Sequence, residues 1–134
     1  MNMSLLILIG GLLHFGILIA SACVPWVLDW RKELAKLDLL SRQLVWVHGA
    51  FIVLVIAGFG VISVALPADL SGGTLLARSV CAFISLFWLA RLGVQLFAFD
   101  AKPYLENWLL RLGYNGLTAV FAFHVVVYLA AAVT

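Results

Sequence analysis

Among the side chains able to ligate, carry charge or donate strong hydrogen bonds inside the apolar blocks of this chain, five stand out: His14, His48, Arg91, Gln95 and His124. Arg91 is the most demanding of them. It interrupts the run CAFISLFWLARLGVQLFAFD at 81–100, with Gln95 one turn further on. A charge held in hydrocarbon costs about 2.5–3.5 kcal/mol even on the mildest insertion scales, so an arginine kept there is by default part of a functional site. The blocks cover about 4–28, 44–66, 75–99 and 109–133, each long enough to cross a hydrocarbon layer roughly 30 Å thick. Because a helix rises about 1.5 Å per residue, sequence position converts to depth. From the cytoplasmic edge, Gln95 and His48 lie about 6 Å in, Arg91 about 12 Å, His14 about 21 Å and His124 about 22 Å.

His14 and His124 therefore share a level, and His48 lies about 15 Å too shallow to join them. Two imidazoles facing each other between apolar helices supply the axial nitrogens of a b-type haem, whose potential a low-dielectric shell tunes. Gly10 and Gly11, one turn from His14, leave room for a flat macrocycle, and Leu117, Phe121, His124 and Tyr128 share one face of the last block. Arg91, about 10 Å below that level, would then neutralise inward-pointing propionates. A shallower pair, His48 and Gln95, with Trp46 and Trp88 beside it, offers neutral donors to a quinone carbonyl. The function expected from these residues is a small membrane electron-transfer protein or subunit. It would bind haem b on His14 and His124 and carry a quinone site near the cytoplasmic side.

Three plainer readings stand beside it. Membrane histidines often only hydrogen-bond across helices. Arg91 can snorkel to the interface and hold Asp100 or an acidic lipid headgroup, which makes the chain a lipid-binding protein. A chain with no chemistry of its own fits a structural or assembly subunit of a larger membrane complex, or a homo-oligomer. No Asp or Glu lies inside any of the blocks, so the acidic partners within the chain are rim residues such as Asp100 and Glu106.

The elements that must position these residues follow from composition. Of the 134 residues, 66% are hydrophobic and 10% charged, against about a quarter charged in soluble domains. A water-facing surface cannot be built from that mixture. The expected fold is an all-α integral membrane domain, a single up-down four-helix bundle joined by short connections. The first connection carries Arg31, Lys32, Lys36 and Arg42, the third Lys102 and Arg111, and the second only Arg78. That bias puts the first and third connections in the cytoplasm and both termini outside, as in a bacterial inner membrane. Trp30, Leu34, Leu37 and Leu40 line one side of the first connection, which predicts an interfacial amphipathic segment over about 30–41. Pro103 suits a first helical turn in the third connection. Glycines at 10, 11, 16, 49, 58, 60, 93, 113 and 116 suggest close helix contacts.

Several classes lose their essential groups. Without an intramembrane carboxylate, a proton-coupled exchanger or rotary ring subunit lacks its ion site. The sequence has no HExxH, histidine-box series or ExxH pair, and its two cysteines, Cys23 and Cys81, form no CxxC. They fall near opposite membrane faces, too far apart for a disulfide. No phosphate-binding glycine loop is present, and the basic residues read as topology signals, not a nucleic-acid surface.

Overall fold

The computed structural model describes residues 2–98 and 107–134. Expectations resting on Asp100, Lys102, Pro103 and Glu106 lie outside the described residues. Within them every regular element is helical. Four helices are long and apolar enough to cross a membrane, which marks a multi-pass membrane protein. They are α1 (Met3–Val27), α3 (Leu39–Ala65), α5 (Leu75–Gly93) and α6 (Trp108–Val133), with short α2 (Trp30–Glu33) and α4 (Pro67–Leu70) in the first two connections.

Local chemistry sets the ends of these helices. The Asn2 side chain accepts the Ser4 N–H at 2.9 Å, Thr74 that of Ala77 at 3.1 Å and Asn107 that of Leu109 at 2.9 Å, each satisfying a donor that the first turn would leave orphaned. Pro67 opens α4, where its missing N–H costs nothing. After α1 the chain turns at Asp29, whose φ of 51° is left-handed, a conformation an aspartate tolerates better than most side chains.

The first connection, expected as an amphipathic segment over about 30–41, is built from short pieces. A 3-10 turn, Leu34–Lys36, follows α2. Leu37 and Asp38 are then extended, and α3 begins at Leu39. Asp38 stands at the break. It sits in the non-helical cap position, and the Ser41 hydroxyl holds its carboxyl below the usual carboxylate range. Trp30 still ties the connection down, packing edge-on against Trp46 of α3 at 5.1 Å.

The long helices pack as two pairs joined through α1 and α6. Where α1 crosses α3, a Cβ on Gly11 would stand 2.8 Å from the Ser63 Cβ and 3.0 Å from the Val64 nitrogen. One on Gly60 would stand 3.1 Å from His14 and Phe15. Only glycine permits that approach. Along α5 and α6 the contact is a ladder of side chains bonded to backbone. Arg78 Nε donates to the Ala132 carbonyl at 2.8 Å, Ser85 Oγ to Val125 at 2.9 Å, and Tyr114 Oη to Gln95 at 2.7 Å. By contrast α3 and α5 do not pack along their lengths. Phe59 bridges them, 6.0 Å from Phe83 and 5.3 Å from Phe87. Gly16, Gly49, Gly58, Gly93, Gly113 and Gly116 meet nothing within 4 Å of an added Cβ, so they are not the helix contacts that small size suggested.

Candidate functional site

The core of the bundle is polar at one level. His14, Ser63, Trp88, His124 and Tyr128 are all fully buried there, drawn from all four long helices. The hydrogen bonds fix the tautomers. Trp88 Nε1–H donates to His14 Nε2 at 2.9 Å, so the His14 proton sits on Nδ1 and is donated to the Gly10 carbonyl at 2.7 Å. That carbonyl also accepts from His124 Nε2 at 2.9 Å. His124 Nδ1 then carries a lone pair. It is the buried side-chain nitrogen without a hydrogen-bond partner among the described residues. Beside the rings, Ser63 and Tyr128 hydroxyls share a bond of 2.6 Å. Trp88 stacks on His124 at 5.1 Å and on Phe121 at 5.0 Å.

The structure thus brings His14 and His124 together, with ring centroids 4.2 Å apart and 47° between planes. An iron between two imidazoles needs metal–nitrogen bonds of about 2 Å each, which sets the ligating nitrogens about 4 Å apart with a macrocycle between the rings. Here the rings touch, and three of their four nitrogens are already hydrogen-bonded. As packed, the pair does not fit a haem. No group of three or more His, Cys, Asp or Glu side chains among the described residues is arranged to hold a metal.

Beside this cluster, where Trp88 forms a shared wall, the core opens into a cavity of about 70 Å³. Arg91, Gln95 and Ser21 supply its polar lining, and aliphatic and aromatic residues of α1, α3 and α6 complete it. The Arg91 guanidinium stands 5.7 Å over the Phe121 ring, a favourable seat for a cation. Two irregularities shape the site. Pro25 lies in the last turns of α1 and has no N–H to give the Ser21 carbonyl, so that carbonyl loses its helical donor beside the cavity. Immediately after Arg91, α5 loosens into a π-helical turn, Val94–Ala98, of the kind often found at functional positions. Tyr114 Oη holds the Gln95 carbonyl in that turn, while the Gln95 amide donates to Thr118 Oγ1 at 2.5 Å and more weakly to the Tyr114 carbonyl at 3.4 Å.

The remaining expected site residue is elsewhere. His48 is exposed on α3 and its Nδ1 donates to the Leu44 carbonyl at 2.8 Å. It neither bonds to Gln95 nor lines the cavity. The residues that sequence reasoning undervalued are Trp88, Tyr128 and Ser21. The last was signalled by the proline four positions on. Comparison with protein-family models, characterised proteins and solved structures finds no match to this chain.

Proposed function

We propose that this protein holds the oxyanionic head of a membrane amphiphile in the Arg91 cavity, within an up-down bundle whose termini face outward and whose first and third connections face the cytoplasm. The observation that carries this reading is convergence. An arginine, a glutamine and a serine with a released carbonyl meet around one void whose remaining lining is apolar, the usual make-up of a binding pocket. A guanidinium is the side chain best matched to carboxylate or phosphate.

A quinone in the same place would need the void to widen: an engineered cavity that binds benzene has about 150 Å³, and this one has about 70 Å³. The competing proposal, electron transfer through haem b on His14 and His124, needs the two rings to part and give up their bonds to Gly10 and Trp88. A reduced-minus-oxidised absorption spectrum separates the two, since only haem gives a Soret band that is lost in His14→Ala.

The amphiphile reading is tested by thermal unfolding in neutral detergent. A ligand that binds only the folded state stabilises it by about 2.7 kcal/mol at about 100 times its dissociation constant. Acidic amphiphiles should raise the midpoint, their neutral analogues should not, and Arg91→Gln should abolish the shift. Equal shifts from acidic and neutral amphiphiles would overturn the reading.

A further inference from the structure

We infer that the ligand is a long-chain carboxylic acid with a single acyl chain, seated with its carboxylate at Arg91 and its chain in the seam between α3 and α5. This rests on the anionic-head reading and goes on to assign the head, the chain number and the route of entry.

Volume decides the head. At about 70 Å³ the cavity has less than half the volume, about 150 Å³, of an engineered cavity that binds benzene. A carboxylate, three heavy atoms in one plane, fits that space, whereas a glycerophosphate does not. The planar fork of a guanidinium also meets a carboxylate with two parallel hydrogen bonds.

The seam decides the chain. Three of the four sides of the bundle are closed by packed helix pairs, α1 with α3, α1 with α6 and α5 with α6. The fourth, between α3 and α5, is closed only where Phe59 meets Phe83 and Phe87. Trp88 and Arg91 of α5 and Ile52 and Ile56 of α3 face the cavity across this side. Ile52 is 47% exposed, so this part of the cavity wall is also part of the outer surface of α3. A slot bounded by one helix on each side, and shut at one end by an aromatic bridge, takes one extended chain lying against α3. A second chain has no wall of its own.

The test uses the full chain in neutral detergent and radiolabelled palmitate, with dioleoyl phosphatidylglycerol as comparator. Palmitate should bind with one-to-one stoichiometry, at least tenfold more tightly than phosphatidylglycerol. Arg91→Gln should weaken palmitate at least tenfold, and Arg91→Lys should weaken it less. Ile52→Trp should weaken palmitate at least tenfold while the thermal midpoint of the unliganded protein stays that of wild type. Tight phosphatidylglycerol binding without palmitate binding would overturn the single-chain assignment and leave the anionic-head reading standing. Palmitate binding that Ile52→Trp does not touch would overturn the seam. If neither lipid binds, both inferences fall together.

Discussion

At the residue scale, the Gly10 carbonyl and the Trp88 indole organise the buried cluster. Trp88→Phe keeps a ring in place but leaves His14 Nε2 buried without its donor, a loss of about 1–3 kcal/mol. Ser85→Ala removes a hydroxyl bonded to a carbonyl that its own helix already serves, so it should cost near the membrane average of about 0.6 kcal/mol. Unfolding in a graded series of denaturing detergent should rank the two in that order. Equal costs would mean that the indole bond carries no special weight. Glycines divide in the same way. Gly11→Ala drives a methyl to within 2.8 Å of Ser63 and against the Val64 backbone, an overpacking of about 1–3 kcal/mol. Gly116→Ala enters open space and should stabilise slightly through helix propensity. If both are tolerated alike, the α1–α3 crossing is looser than these distances require.

At the scale of elements, the sequence made some features legible and hid others. Four spans could be read because apolar blocks of membrane length have few other uses, and the shared level of His14 and His124 followed from helical rise alone. The face each residue presents was harder to read. His48 and Gln95 lie at similar depth yet point to different neighbours, because rotation about the helix axis is set by packing that depth does not record. The start of α3 at Leu39 was concealed by leucines that suit an interfacial stripe and a span equally well. The π turn at Val94–Ala98 was invisible, since VQLFA is ordinary helix-forming sequence. What selects the turn is the Tyr114 hydroxyl on the Gln95 carbonyl, a contact from another helix. Tyr114→Phe should therefore speed amide hydrogen exchange over 94–98 by about tenfold, in line with a lost bond of roughly 1 kcal/mol or a little more. Exchange over α1 should not change. Unaltered exchange over 94–98 would show that the turn is intrinsic to α5.

At the scale of the whole molecule, a buried polar cluster and a mixed cavity sit side by side in one bundle, with Trp88 common to both. The cluster ties all four long helices together, and the cavity lies beside it, where α3 parts from α5. The proposed orientation rests on the basic residues of the first connection. In a Cys23→Ser background, Lys36→Cys should react with a membrane-impermeant maleimide only from the cytoplasmic side and Ser71→Cys only from the opposite side. The reverse pattern would invert the bundle and place Arg91 in the outer half of the bilayer. The most direct measurement of the central claim is native mass spectrometry of the protein released from bilayers containing acidic and neutral amphiphiles. Wild type should retain one acidic molecule, and Arg91→Gln should emerge bare under the same activation. An adduct that is absent from wild type, or that survives intact in Arg91→Gln, would contradict the account.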